Sequence, residues 1–489
     1  MPTAPTEPVA TEVDRKHRVE IRRLAGSTTI YLMALVLPRV VRLVAVPLIV
    51  HAVAPDVYGA FATLWALVGF GYATCDLGLG SAAVRLAPEA KTASDRRSLF
   101  ATMLLARAGA ALAVAAFFVL ASRPLASLAT GDPEHGPVLA LLFVSLPLAA
   151  TIDGYTNELR AREAHAAVGL LTVARTLISN LLTLLLVVGL GMGLYGLTWA
   201  RPVTDVALFA IGTFLCWRFV KGRFDRRALG ELWSFGWPIG MLTLLAALRG
   251  LDRPVLRVLS SVDQVAAYDL AMRLVGPIAL PTLALGLVLQ PVLYRHADSP
   301  DTPRYVDLFV RAYLGVFVGV ALAVAAFSPE FVRLLSPASY HGAIRAVPAL
   351  VFFQVVDGLM RVAGVGAELV KRTRAWALAT TASVAVGLLL LPLLVPRLEV
   401  SGAAFALLAG TATGTLVAYY LSLRVSGLRM PVLRGVSISI GGAILGTAAV
   451  WFPVPLALRA LALVPLVILA WHLAGARLSS LRALFAARN

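Results

Sequence analysis

The sequence predicts an all-α integral membrane protein. Of its 489 residues, 59% are hydrophobic and only 14% are charged, and its mean hydropathy is +0.83. A soluble protein of this size carries roughly a quarter charged residues. Apolar runs of about 20 residues, the length needed to cross a hydrocarbon core of about 30 Å, recur along the whole chain. A disulfide framework is not expected, because the two cysteines, Cys75 and Cys216, both lie inside apolar runs.

The hydropathy pattern predicts about fourteen transmembrane helices. They are expected at 27–52, 58–83, 98–121, 137–157, 166–190, 193–217, 233–259, 264–293, 305–328, 343–367, 375–396, 401–423, 434–452 and 455–476. The loops between these spans are short, so little of the chain is expected to stand outside the bilayer.

Basic residues alternate between the predicted loops. Loops on one side hold most of the arginines and lysines, whereas the intervening loops hold only Arg123, Arg333, Arg397 and Arg459. Because cytoplasmic loops carry the excess of basic residues, both termini are predicted to be cytoplasmic. The same pattern accounts for the net charge of +17 without a nucleic-acid partner. The first 23 residues lack the apolar core and cleavage site of a signal peptide, so they are interpreted as a cytoplasmic tail.

An internal repeat relates the two halves of the chain. At an offset of 207 residues, Arg42 aligns with Arg249 and Asp56 aligns with Asp263. An even number of predicted spans separates the copies, so both have the same topology in the membrane. Parallel repeats of this kind build transporters that carry a central site between two helix bundles.

Arginines lie deep inside two of the predicted spans. Arg39 and Arg42 are about a dozen residues into the first span, roughly 20 Å along a helix, and they share one face. In the seventh span Arg249, Arg253 and Arg257 recur at a spacing of four and form a basic stripe. Facing lipid costs such a residue at least about 2.5–3.5 kcal/mol, so a hydrated cavity is expected. Arg257 is alternatively placed to snorkel at the predicted outer end of its span.

Acidic residues accompany these arginines within the spans. Asp252 follows Arg249 by three residues. Pairs at a spacing of four are Asp269 with Arg273, Asp357 with Arg361, and Arg201 with Asp205. Two interpretations stay open. The pairs neutralise each other as structural ties, or Asp252, Asp269 and Asp357 carry a coupling proton or sodium ion.

Excess arginine in a cavity favours an anionic substrate. A guanidinium group bonds two phosphate oxygens at once, which makes phosphate the natural anion. The sequence has no GxxxxGK[ST] phosphate loop, and its seven histidines are scattered without metal-ligand spacing. Neither a cofactor nor a metal is therefore expected.

Four segments resemble those of a known family of exporters. In the first half they are VAPDVYGAFATLWALV from Val53 and DLGLGSA from Asp76. In the second half they are LDRPVLRVL from Leu251 and AAYDLAMRLV from Ala266. They are similar to segments of the Wzx-type polysaccharide flippases, the O-antigen and capsule exporters of the multidrug/oligosaccharidyl-lipid/polysaccharide superfamily.

This resemblance implies two six-helix lobes, related by a pseudo-two-fold axis and arranged in a V around a central cavity, with two further C-terminal helices. It implies a tail at 1–23, an N-lobe at 24–217, a linker at 218–232, a C-lobe at 233–424, two more spans at 425–476 and a tail at 477–489.

The resemblance also implies a substrate and a place in the cell. The substrate is an undecaprenyl-diphosphate-linked oligosaccharide, moved between the leaflets of the bacterial cytoplasmic membrane by alternating access. Membrane lipids, and a glycan polymerase or glycosyltransferases, are the expected partners. The arginines expected to bind the substrate are Arg39, Arg42, Arg249, Arg253, Arg257 and Arg273. The side chains expected to couple an ion or form cavity ion pairs are Asp252, Asp269, Asp357 and Arg361.

Three other functions stay open at this point. The two extra C-terminal helices also occur in lipid II flippases. A cation-coupled multidrug exporter shares the superfamily, but its cationic drugs would be repelled by arginines in the cavity. A membrane polymerase or ligase needs a larger loop than any predicted here to build an active site.

Overall fold

All of the regular structure in the described chain is helical. A computed structural model describes residues 36–217, 221–279, 302–370, 372, 374–452, 454–473 and 475. Within these ranges, 11 helices are long and apolar enough to cross a membrane. The prediction of an all-α membrane protein is therefore confirmed. The tails predicted at 1–23 and 477–489 lie outside the described residues.

The first half of the chain forms nine helices within its described part. They are α1 (described at 36–52), α2 (Pro55–Asp76), α3 (Leu79–Leu86), α4 (Ala93–Leu120), α5 (Ser122–Thr130), α6 (Gly136–Val144), α7 (Leu146–Ala161), α8 (His165–Leu184) and α9 (Gly193–Cys216). A π-helical turn, Leu185–Gly189, extends α8.

The second half contains longer and more interrupted helices. They are α10 (Arg226–Leu248), α11 (Asp252–Leu259), α12 (Val262–Val275), α13 (Thr302–Ala326), α14 (Ser328–Leu335), α15 (Val347–Ala363), α16 (Val365–Leu369), α17 (Arg374–Ser426), α18 (Val432–Trp451) and α19 (Leu456–Leu473).

Helix α17 joins two predicted spans without a loop. Its 53 residues would extend about 80 Å as one straight helix, more than twice the hydrocarbon core. The non-helical backbone of Glu399 (φ 50°, ψ −128°) divides it, so the spans predicted at 375–396 and 401–423 meet at a kink. The total of about fourteen stays a prediction, because parts of the first and eighth predicted spans lie outside the described residues.

The seventh predicted span, 233–259, is broken in the structure. Helix α10 ends at Leu248, a 3-10 turn covers Arg249–Leu251, and α11 begins at Asp252. Pro254 explains the break, since it has no N–H for the carbonyl four residues earlier and its ring clashes with that carbonyl. The sequence spacing predicted one continuous α-helical stripe of arginines in this span. The 3-10 turn interrupts that stripe.

The two halves of the chain meet near both ends of α2. At one end Gly59 lies so close to the carbonyl of Val262 that a Cβ atom would overlap it. At the other end Gly78 packs in the same way against the backbone of Gly236 and Gly240. Gly78 also has φ +68°, a conformation that favours glycine. The middle of α2 lies between these contacts and faces a cavity.

Candidate functional site

The central cavity lies between the two halves and has a volume of about 640 Å³. Its walls come from α1, α2, α8, α9 and α10 and from the region of α11 and α12. The charged side chains that line it are Arg39, Arg42, Arg201, Arg253, Asp269 and Arg273. Five arginines thus share the wall with one aspartate, which agrees with the expectation of a basic cavity.

Asp269 is the centre of an ion-pair cluster on the second-half wall. Its carboxylate accepts hydrogen bonds from Arg253 Nε at 2.9 Å and from Arg273 Nε at 2.5 Å. Tyr58 in α2 donates a third bond at 3.2 Å. Only 5% of the Asp269 side chain is exposed, so its charge depends on these partners.

Asp252 extends the same cluster behind the cavity wall. It lies at the start of α11, where its carboxylate accepts hydrogen bonds from Arg253 Nη1 at 3.1 Å and from the Tyr268 hydroxyl at 2.7 Å. The two aspartates and the arginines Arg253 and Arg273 carry equal and opposite charge. This cluster is therefore neutral as a whole.

Arg42 differs from Arg201, Arg253 and Arg273 in having no counter-ion among the residues that the structure describes. It makes no ion pair or hydrogen bond with any residue that the structure describes. Its guanidinium is exposed to the cavity, within electrostatic range of Arg39 and Arg273, which repel it, and of Asp269, which attracts it but is already paired with Arg253 and Arg273. Arg39, one turn earlier on α1, lines the same wall. A cation held next to other cations is poised to bind an anion.

The three arginines of the predicted stripe have three different environments. Arg253 reaches the central cavity, whereas Arg249 does not line it. Arg249 instead bonds to Asp357 in α15 at 3.0 Å and to Ser383 in α17 at 3.1 Å. Arg257 packs against Gly131, at the end of α5. The 3-10 turn before α11 separates Arg249 from the face that the other two would share.

The Asp357 carboxylate pairs with two arginines, neither of which lines the central cavity. Besides Arg249, it accepts a hydrogen bond of 3.3 Å from Arg361, which is largely exposed. Of the residues expected in the site, the structure therefore brings together Arg39, Arg42, Arg253, Arg273, Asp252 and Asp269. It places Arg249, Arg257, Asp357 and Arg361 elsewhere.

Sequence reasoning missed one wall of the cavity. Arg201 was expected only as half of a spacing-four pair, and its bond to Asp205 (2.8 Å) is present. Its guanidinium also lies 5.4 Å from the ring centre of Trp65, and both side chains line the cavity. The signal was available, since Arg201 is deep inside the sixth predicted span. No group of three or more metal-ligating His, Cys, Asp or Glu side chains occurs among the described residues.

The chain is similar to known exporters over most of its length. A family model described as "Polysaccharide biosynthesis protein" matches residues 51–345. The lipid II flippase MurJ, in an inward closed conformation, is similar with a TM-score of 0.69 and 13% identity, over 91% of this chain and 97% of that one. An inward-facing multidrug resistance transporter of the MATE family has a TM-score of 0.65 and 15% identity, over 80% and 95%.

The Vibrio cholerae MATE transporter VcmN in its bent form has a TM-score of 0.54 and 18% identity, over 83% of this chain and 98% of that one. No curated protein matches the chain. At these identities the structural likenesses show a shared fold.

Proposed function

Since the chain belongs to the polysaccharide biosynthesis protein family, we propose that it moves an undecaprenyl-diphosphate-linked oligosaccharide from the cytoplasmic to the outer leaflet of the bacterial inner membrane. Family and fold together support a membrane transporter of the flippase type rather than an enzyme. The diphosphate, the saccharide and the direction of movement belong to the proposal.

Arg42 is the observation that carries this proposal. Its guanidinium faces the central cavity without a counter-ion of its own among the described residues, and Arg39 and Arg273 repel it. Keeping such a cation charged inside a membrane is costly unless an anion or water compensates it. A diphosphate supplies two adjacent anionic groups, and the planar guanidinium can bond two phosphate oxygens at once.

The neighbouring charges favour a large anion over a small one. Arg253 and Arg273 already share the Asp269 carboxylate, but each guanidinium keeps further N–H groups. These groups line the same cavity as Arg42. A diphosphate bound at Arg42 would therefore meet arginines from α1, α11 and α12, and so from both halves of the chain.

Alternating access requires that the two halves separate at one end at a time. The backbone contacts of Gly59 with Val262 and of Gly78 with Gly236 lie near opposite ends of α2. In both contacts a glycine allows the backbones of the two halves to approach closely. We propose that they close the two ends of the cavity in turn.

A reconstitution assay tests the proposal. Liposomes containing the protein and a fluorescent undecaprenyl-diphosphate oligosaccharide report movement between leaflets through quenching by a membrane-impermeant reagent. Wild type is expected to move the lipid, and Arg42→Ala is expected to abolish this movement. Arg85→Ala is the matched control, because Arg85 pairs with Glu89 on an exposed surface and does not line the cavity.

Each outcome of this assay is informative. Loss in Arg42→Ala with normal movement in Arg85→Ala supports a diphosphate site at α1. Equal movement in wild type and Arg42→Ala contradicts it. Movement of cationic dyes, but of no diphosphate lipid, by well-folded wild type would favour a multidrug exporter instead.

Lipid II is a second candidate substrate. The specific observation is the similarity to MurJ over 91% of this chain, a larger share than the 51–345 that the family model matches. Lipid II is also an undecaprenyl diphosphate, so the arginines alone do not separate the two. Competition by lipid II against the oligosaccharide lipid in the same liposomes distinguishes them, since only the true substrate class should compete efficiently.

A further inference from the structure

A second chamber adjoins the central cavity inside the first half of the chain. This side chamber has a volume of about 340 Å³ and is lined by residues of α2, α6, α7, α8 and α9. Trp65, Gly69 and Arg201 line both spaces and form their common border. The chamber is therefore placed to hold a group attached to whatever occupies the central cavity.

Two ion pairs make the side chamber polar but electrically neutral. Arg175 bonds to Asp153 at 2.9 Å, and Arg201 bonds to Asp205 at 2.8 Å. Arg175 also lies 3.7 Å from Asp205, so the four side chains form one group. Because two positive charges balance two negative ones, the chamber offers little net attraction to an ion. It suits a neutral group that both donates and accepts hydrogen bonds.

Hydrogen-bonding capacity remains unused in this group. The Asp205 side chain is fully buried, and its Oδ1 atom accepts no hydrogen bond from the residues that the structure describes. Within the same residues, Arg175 Nε is a buried donor without an acceptor. Buried polar atoms in native proteins are almost always satisfied, by protein, water or ligand. An acceptor and a donor, both covered by neighbouring atoms, thus lie beside the chamber, and rotation of the Asp205 or Arg175 side chain would present them to a molecule that enters it.

Aromatic rings complete the chemistry of the side chamber. Trp65 lies at its border, and Tyr72, about two turns further along α2, lines the side chamber only. Sugar rings present hydroxyl groups at their edge and apolar C–H groups on their faces. Charged hydrogen-bonding side chains beside aromatic rings match both features. The volume is also at the lower end of the range of about 300–1,000 Å³ for small-molecule sites.

We propose that the side chamber binds the first sugar of the lipid-linked saccharide while the diphosphate occupies the arginines of the central cavity. This inference rests on the proposed function. The sugar passes the border at Gly69 and enters the side chamber. There one of its hydroxyl groups donates a hydrogen bond to Asp205 Oδ1. The N-half thereby distinguishes a glycosylated lipid from undecaprenyl diphosphate alone, and Arg201 links the two subsites because it lines both.

Gly69 allows this border to be blocked without disturbing the fold. A Cβ atom at Gly69 would meet no other atom within 4 Å, so a larger side chain there extends into open space. Gly69→Leu is the test variant. Gly109→Leu in α4 is the matched control, because a Cβ atom at Gly109 is equally unhindered and Gly109 lines neither space. Ala149→Val is a second variant, since Ala149 lines only the side chamber.

The experiment compares the affinity of purified protein for two lipids in nanodiscs, undecaprenyl diphosphate and undecaprenyl diphosphate bearing one N-acetylglucosamine. Wild type should bind the glycosylated lipid more tightly. Gly69→Leu and Ala149→Val should weaken this binding by at least about tenfold. The affinity of Ala149→Val for undecaprenyl diphosphate, and both affinities of Gly109→Leu, should stay near the wild-type values, because neither Ala149 nor Gly109 lines the central cavity.

The outcomes separate this inference from the function on which it rests. Equal affinity of wild type for both lipids overturns the sugar subsite, as does unchanged glycolipid binding in Gly69→Leu and Ala149→Val. Equal weakening of both lipids in Ala149→Val also overturns it, since the defect then does not depend on the sugar. If wild type binds neither lipid, or if Arg42→Ala binds undecaprenyl diphosphate like wild type, the proposed function fails first.

Discussion

The hydroxyl of Tyr58 in α2 donates a 3.2 Å hydrogen bond to the carboxylate of Asp269 in α12, and this bond crosses the boundary between the two halves. The same carboxylate is held from within the second half by Arg253 and Arg273. The Arg273 guanidinium also lies 5.6 Å from the centre of the Tyr58 ring. If the halves separate, the Tyr58 bond must break while the bonds to the arginines can persist.

This arrangement predicts very different effects for its two partners. Asp269→Ala leaves two largely buried arginines without a shared carboxylate, and breaking a buried pair in this way costs about 3–5 kcal/mol. Tyr58→Phe removes one neutral donor and should cost about 0.5–1.5 kcal/mol. Melting temperatures in detergent, measured by intrinsic fluorescence, should therefore fall strongly for Asp269→Ala and slightly for Tyr58→Phe.

A variant of nearly the same size distinguishes loss of the Asp269 charge from loss of side-chain packing. Asp269→Asn keeps the size of the side chain but removes the charge, so it should resemble Asp269→Ala. If Asp269→Asn melts like wild type, the charge of the cluster is unimportant for stability, and the ion-coupling interpretation of Asp269 gains weight.

Arg42 predicts the opposite pattern, because it has no counter-ion among the described residues. Arg42→Ala should keep or slightly raise the melting temperature, since it removes repulsion from Arg39 and Arg273. Inorganic pyrophosphate should stabilise wild type, by about 2.7 kcal/mol at a hundred times its dissociation constant. The same titration should leave Arg42→Ala unchanged. Stabilisation of Arg42→Ala to the wild-type extent would place the anion site away from Arg42.

Local features of the site could be predicted from the sequence. The spacing-four pairs Arg201–Asp205 and Asp269–Arg273 are formed, at 2.8 Å and 2.5 Å. Such pairs depend only on the rise and turn of a single helix, which brings these side chains together whatever surrounds them. The all-α membrane fold follows from hydropathy for a similar reason, since each span must be apolar over its own length to cross the hydrocarbon core.

Partners on different helices could not be predicted in this way. Arg249 is bound to Asp357, 108 residues away in the chain. The sequence therefore suggested that Arg249 accompanies Arg253, but a 3-10 turn redirects it. A single proline four residues from a carbonyl signals such a break, but not the direction that the chain takes afterwards. The place of Arg201 in the cavity wall was not predicted, because the sequence spacing indicates only its pair with Asp205 and not its contact with Trp65 on another helix.

The glycine contacts at the two ends of α2 predict separate effects on access to the cavity. Gly59→Val and Gly236→Val should each prevent close approach of the halves at one end, because added side-chain atoms would overlap the opposite backbone. A cysteine placed at Ser179, which lines the cavity, reports access through its reaction with a membrane-impermeant maleimide. The native Cys75 and Cys216 are both buried and would be replaced by serine.

The predicted orientation assigns each variant to a side. With cytoplasmic termini, the Gly236 end faces the cytoplasm and the Gly59 end faces outward. Gly236→Val should raise labelling from the cytoplasmic side only, and Gly59→Val from the outer side only. Gly109→Val, in open space, should change neither rate. Equal labelling of all three variants from both sides would show that these contacts do not close the cavity.

The ion pair between Glu330 and Arg459 is expected to stabilise the position of α19 in a pH-dependent way. Two nitrogens of Arg459 in α19 donate to the two carboxylate oxygens of Glu330, at 3.0 Å and 2.6 Å. Glu330 lies in the short helix α14, outside the candidate spans. Burial works against ionisation, but the bonds and charge of Arg459 hold the pKa of the Glu330 carboxyl below its usual value.

The sign of the pH effect follows from this lowered pKa. A carboxyl whose pKa is lower in the folded state stabilises the fold above its unfolded pKa of about 4.3, and this stability is lost as the pH falls further. Glu330→Gln should therefore melt below wild type at pH 7, and the difference should vanish in acid. Glu89→Gln, which breaks an exposed pair with Arg85, is the control and should have little effect. A difference between Glu330→Gln and wild type that persists unchanged in acid would mean that the charge of Glu330 does not anchor α19.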